Sequence, residues 1–204
     1  RSGADGITMH LREDRRHIQD DDVYLAKQVI QSSMNLEMAA TDEMRDIALN
    51  VKPENCCIVP EHRQELTTEG GLDVIKHGSR IKDITLALTE ASIVVSLFIE
   101  PDLNVIDASA EAGAPVIELH TGTYASREGE KQIQELQRIK NAIVHAASLG
   151  LVVNAGHGLH YENVEPIAKI ENMYELNIGH SIVAHALFVG LEAAVQEMRI
   201  KMNS

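Results

Sequence analysis

The chain contains no tryptophan, and aromatic residues make up only 3% of it. The interior of these 204 residues must therefore be aliphatic, filled by Ile, Leu, Val, Ala and Met. Cysteine occurs only as the adjacent pair Cys56 and Cys57. Neighbours on a strand point to opposite faces, so the pair reads as two reduced core thiols of a cytosolic protein and not as a disulfide. No Cys-x-x-Cys or His-x-His offers a metal-ligand pair, and no metal is expected. No apolar run approaches the roughly 18 to 20 residues that span a bilayer. Positive charge is also short. The net charge of -13 disfavours nucleic acid and anionic membrane as partners, so an anionic substrate would need a local cationic pocket.

What the chain does have is a repeating pattern. Apolar runs of strand length recur at 5–10, 34–39, 55–60, 93–99, 115–120, 151–156 and 175–180. Helical patterns lie between them. One follows the acidic N-cap candidates Asp20 to Asp22, and another opens with Thr41 as N-cap and acids in its first turn. Further helices are expected near 79–91, 102–112, 129–148, 162–169 and 181–202, the last about 33 Å long. Alternating strands and helices predict a parallel sheet with helices outside. No linker or composition shift marks a boundary, so residues 1–204 read as one domain. The fold expected is α/β, a (β/α)8 TIM barrel. Seven strands are countable, and "RSGADG" reads as a helix end turning into a strand, so the first strand and most of the first helix are expected upstream of residue 1. A doubly wound open sheet is the alternative.

In a parallel barrel, chemistry gathers where the strands end. Those ends carry His10 and Arg12, Glu37, Glu61 to Arg63, His120, Asn154 with His157, and Gly179 with His180. Any one histidine could be a hydrogen-bonded structural residue, but histidine at four strand ends points to a site. "NAGHGL" and "NIGH" set glycines beside strand ends, where backbone N–H groups and a following helix N-terminus suit an anion. Simple tight turns are the plainer reading of each alone. "REDRRH" is a solvated loop or, directly off a strand end, a second anion site through Arg12 and His17. Glu37 interrupts the apolar strand "MNLEMA", with Asn35 on the same face. Proton transfer or a structural ion pair would account for a carboxylate there. No lysine ends a strand, which disfavours an enzyme–lysine Schiff base.

At "ADGITMHLREDRRHI", "MNLEMA", "TTEGGLDV", "VSLFI", "IELHTG", "SLGLVVNAGHGL" and "ELNIGH" the sequence closely resembles the pyridoxine 5′-phosphate synthase family of the deoxyxylulose-dependent vitamin B6 pathway, over nearly its whole length. The resemblance implies a (β/α)8 barrel that assembles into a homo-octamer. It implies condensation of 3-amino-2-oxopropyl phosphate with 1-deoxy-D-xylulose 5-phosphate to pyridoxine 5′-phosphate, phosphate and water, with no metal or organic cofactor. By motif, it implies His10 as an acid/base, Glu37 as a general base and His157 as a proton donor. Arg12, His17 and Thr67 would contact deoxyxylulose phosphate. Gly158, Gly179 and His180 would hold aminoacetone phosphate. The family's opening Asn-x-Asp-His strand has no counterpart in these residues. A phosphosugar-binding barrel without catalysis, and an isomerase or epimerase acting on one phosphosugar, are the alternatives.

Overall fold

The computed structural model describes residues 2–61 and 70–204. Seven parallel strands follow one another in sequence order across a single sheet. They are β1 (Gly6–His10), β2 (Ser33–Met38), β3 (Asn55–Ile58), β4 (Val94–Ile99), β5 (Val116–His120), β6 (Val152–Gly156) and β7 (Met173–Asn177). The helices between and after them are α1 (Asp20–Val29), α2 (Asp42–Val51), α3 (Val74–Glu90), α4 (Leu103–Glu111), α5 (Gly122–Ala125), α6 (Gly129–Ser148), α7 (Val164–Ala168), α8 (His180–Val189) and α9 (Leu191–Met202).

Strict succession of neighbours is barrel order, not the reversal of a doubly wound sheet. The sheet curls far enough for the Thr8 hydroxyl of β1 to donate to Asn177 Oδ1 of β7 at 2.8 Å. Among the described residues, seven of the eight strands of a (β/α)8 barrel are thus present, and the opening lies between β1 and β7. Beside it, Gly6 to Thr8 are exposed, and α8 carries no buried residue.

Period two divides the strands between two environments. Leu36, Cys56, Val95, Leu97, Ile99, Ile117, Leu119 and Val153 point outward into one aliphatic layer beneath the helices. The helices answer at 3.6-residue spacing, with Ile81, Ile84 and Leu88 of α3 and Ile139, Ile143 and Ala146 of α6. The local signals hold at several starts. The Thr41 hydroxyl accepts the Met44 amide as the cap of α2, and Asp102 caps α4. For α1 the expectation of an aspartate cap is corrected: the cap is Gln19, and the three aspartates fill the first turn, where they complement the helix dipole.

Three expected elements are corrected. The last strand occupies Met173–Asn177, not 175–180, because Ile178 and Gly179 form the turn that starts α8. The long C-terminal helix is two helices, broken at Gly190 with φ of 86° and ψ of 154°. The helix expected at 79–91 begins at Val74 and passes through a kink at His77.

Candidate active site

The strand ends converge on the rim of the curled sheet. His10 closes β1 between two carboxylates. Its Nε2 lies 2.8 Å from Glu61 Oε1, and its Nδ1 lies 3.6 Å from Glu37 Oε2. Glu61 also accepts the Glu13 amide at 3.0 Å. Burial would raise the Glu61 pKa, but the bonds from His10 and that amide prevail and hold it below the usual range. Glu37 behaves oppositely. Burial pushes its carboxyl up, and the charge of His10 offsets that only in part. A base must be able to take up a proton at the working pH, and burial shifts the Glu37 carboxyl in that direction.

The cationic loop after β1 is held by acids of the loop itself and of the first turns of α1 and α2. Arg15 pairs with Asp20 and Glu43, and Arg16 pairs with Asp14. Arg12 is 6% exposed, and its Nε reaches Asp14 at 3.4 Å. Arg12, Glu13, Asp14, Arg16 and Glu61 line a cavity of about 350 Å³. His17 is exposed on the same loop. Thr67, with His62 and Arg63, lies outside the described residues.

The opposite end of the sheet holds the glycine turns. His157 follows β6 with φ of 77°, and Gly158 follows it with φ of 80°. A non-glycine residue with a positive φ is uncommon and strained. The Thr121 hydroxyl lies 2.7 Å from the carbonyls of both Gly156 and His157 and braces the turn. A Cβ on Gly158 would lie 2.7 Å from that of Ala125. The Ser181 hydroxyl donates to the Leu159 carbonyl at 2.9 Å, tying this turn to the start of α8. Gly179 and His180 stand there, exposed, with no side chain capping the helix. The first amides of such a helix are unpartnered and suit an anion. Burial, then the charge of His120, lowers the His157 pKa.

The family model for Pyridoxal phosphate biosynthesis protein PdxJ matches residues 1–204. The chain belongs to this family. It is 59% identical over 203 residues to the pyridoxine 5′-phosphate synthase of Thioalkalivibrio sulfidiphilus (strain HL-EbGR7), covering 99% of this chain and 82% of that one. To the pyridoxine 5′-phosphate synthase of Pseudoalteromonas translucida (strain TAC 125) it is 57% identical over 199 residues, covering 97% and 82%. Among solved structures, phosphoribosyl anthranilate isomerase from Thermus thermophilus superposes with a TM-score of 0.62 at 12% identity, covering 97% of this chain and 90% of that one. Thiamine phosphate pyrophosphorylase from Pyrococcus furiosus gives a TM-score of 0.62 at 14% identity, covering 99% and 84%. At such identities the likeness concerns the fold alone.

In this PdxJ-family chain the strand-end reading overlooked one group. Glu118 lies inside the curled sheet, 2% exposed. Its Oε2 accepts from Asn177 Nδ2 at 2.9 Å and from the Cys57 thiol at 3.8 Å. Burial, then the charges of Glu37 and Glu175, push its pKa up to about 8. The signal that singled out Glu37, a carboxylate inside an apolar strand, is also present in "PVIELH". Cys56 faces the outer layer and Cys57 the interior, both thiols free and buried. Among the described residues, no three His, Cys, Asp or Glu side chains are grouped to hold a metal ion, and no helix is long and apolar enough to cross a membrane.

Proposed function

We propose that the chain is a pyridoxine 5′-phosphate synthase that condenses 3-amino-2-oxopropyl phosphate with 1-deoxy-D-xylulose 5-phosphate to give pyridoxine 5′-phosphate, one phosphate and two molecules of water. Membership of the PdxJ family supports this, as do relatives at 57% and 59% identity that bear that name. The observation that carries it is the pairing of a charged end, His10 between Glu37 and Glu61, with a glycine-turn end at His157 and α8. Two phosphorylated substrates require two anion sites and a proton-transfer centre, whereas a one-substrate isomerase requires a single anion site.

In this reading Arg12, His17 and Thr67 hold deoxyxylulose phosphate. Gly158, Gly179 and His180 hold aminoacetone phosphate through backbone amides and the N-terminus of α8. The amine of one substrate attacks the ketone of the other and water leaves. His10 and Glu37 then remove protons from the imine as it moves toward an aromatic ring. His157 delivers a proton to the departing oxygen. Its lowered pKa suits donation, because the protonated ring gives up its proton more readily. No metal or organic cofactor takes part. The protein acts in the cytoplasm as one barrel domain per subunit of a homo-octamer, with neither nucleic acid nor membrane as partner.

The test is to incubate the full protein with both substrates and follow pyridoxine 5′-phosphate and inorganic phosphate together. Equal release of the two is expected. Conversion of deoxyxylulose phosphate alone, without the amine, would replace the synthase reading with an isomerase.

A further inference from the structure

His120 ends β5 and is 7% exposed. Its Nδ1 lies 2.6 Å from Glu100 Oε1, just beyond β4. Arg138 of α6 reaches the other oxygen of Glu100 at 3.4 Å. The hydrogen bond from His120, with help from Arg138, holds the Glu100 carboxyl below its usual range. An ionised Glu100 accepts the Nδ1 proton, and this leaves Nε2 turned inward. That Nε2 is buried and has no hydrogen-bond partner. A polar atom left so is costly and is retained where it has a use.

The neighbours of Nε2 indicate the use. The rings of His120 and His157 lie 5.0 Å apart at 60°, and Phe98 packs edge-on against His120 at 5.2 Å. Gly122 stands between the two histidines. A Cβ there would overlap His120 Nε2 and lie 2.9 Å from His157 Cδ2. The closeness of the two imidazoles therefore depends on a residue without a side chain. A histidine kept only as a tether for Glu100 would need neither Gly122 nor an unpartnered nitrogen.

We propose that His120, held by Glu100, is a positioning residue for His157: its ring, packed 5.0 Å from the His157 imidazole across Gly122, fixes the place and orientation of that imidazole. The inference rests on the proposed role of His157 as proton donor. The charged groups around the pair are Glu100 at the end of β4, Arg138 of α6 behind it, and Glu118 two residues before His120 on the same strand face. Burial and the His120 charge are what lower the His157 pKa.

His120→Asn separates the two roles, because an amide nitrogen can replace Nδ1 toward Glu100 while the ionisable Nε2 is lost. Turnover should fall about tenfold, a barrier increase of about 1.4 kcal/mol, with KM for both substrates within threefold. The NMR titration of His157, assigned with His157→Asn, should move up by roughly half a pH unit or more as a like charge is removed. Unchanged turnover, or an unmoved titration, would overturn the proposal. If His120→Asn fails to fold, His120→Gln, whose amide falls near Nε2 and gives up the Glu100 contact, should lower turnover and raise the His157 titration at least as far, and unchanged values there would equally overturn the proposal. A wild-type protein that makes no pyridoxine 5′-phosphate would refute the proposed function alone, since the His157 titration reads the pairing independently.

Discussion

The two faces of this sheet are made of opposite chemistry. The outward face is a continuous aliphatic layer, matched by helix residues at 3.6 spacing. The inward face carries Thr8, His10, Asn35, Glu37, Cys57, Glu118 and Asn177, linked by hydrogen bonds and ion pairs between the neighbours β1 and β2 and, through Thr8–Asn177, Cys57–Glu118 and Glu118–Asn177, across strands that are not neighbours. Among the described residues, four buried side-chain polar atoms have no partner, and three belong to inward strand positions, Asn35, His120 and Asn154. Dry packing on one side stabilises the curl. The other side gives up that stabilisation and keeps carboxylates and imidazoles in a medium that shifts their protonation. The two faces should therefore respond to substitution in opposite ways.

The largest effect is expected at Glu37. Glu37→Gln keeps the shape and removes the base. Turnover should drop by about 100-fold or more, at least ~2.7 kcal/mol in the barrier, while both phosphorylated substrates bind within a few fold. Thermal unfolding should be unchanged or shifted upward, because a desolvated carboxylate is replaced by a neutral amide. A variant retaining a tenth of wild-type turnover would make Glu37 an inert ion-pair partner of His10.

Ile84→Ala tests the outward face. Ile84 is fully buried in α3 against the sheet. The cavity should cost about 2–5 kcal/mol of stability, read from denaturant midpoints. Turnover per folded molecule should stay near wild type. If turnover instead fell in step with Glu37→Gln, the two faces would be coupled and the division between them wrong.

Glu118 probes the interior through pH. Its pKa near 8 lies above the ordinary carboxylate value, so the native state holds a proton that the unfolded chain has lost. That contribution to stability is complete at acid pH and declines as pH rises from about 4.5 toward 8. Glu118→Gln removes it. Unfolding free energies measured from pH 5 to 8 should slope downward less in the variant than in wild type, by on the order of 1 kcal/mol or more. Parallel curves would mean that Glu118 is ionised in the folded protein.

The outward face was largely legible in the sequence, because burial against helices writes a period of two or 3.6 into neighbouring residues. The inward face was legible only where chemistry broke that pattern locally, as at His10 and Glu37. The contact of His10 with Glu61, 51 residues away, and that of Glu118 with Asn177, 59 away, are products of strand order and leave no local trace. The misplaced β7 has a different origin. "ELNIGH" keeps its alternation of apolar and polar residues through the turn, so nothing in the pattern marks Asn177 as the last strand residue. Gly190 leaves no mark in the pattern, because apolar residues continue through it from α8 into α9, and only its backbone angles reveal the break.

The smallest effect should come from the glycines at the rim, and they separate the requirements of the fold from those of a ligand. Gly158 has φ of 80° and no room for a Cβ beside Ala125, so any side chain there disturbs the turn itself. Gly179 differs, with φ of -116° and open space where a Cβ would stand. Nothing in the protein requires glycine at that position, and an anion approaching the first amides of α8 would. Gly179→Ala should therefore leave stability within about 1 kcal/mol. It should weaken aminoacetone phosphate binding three- to tenfold and leave deoxyxylulose phosphate unaffected, with calorimetry on each substrate separately as the measurement. Gly158→Ala should lower stability as well as binding, because a positive φ and a steric clash act together. Equal weakening of both substrates by Gly179→Ala, with the fold intact, would mean that the N-terminus of α8 is not the aminoacetone phosphate site, and that His157 and Gly158 must bind that phosphate without it.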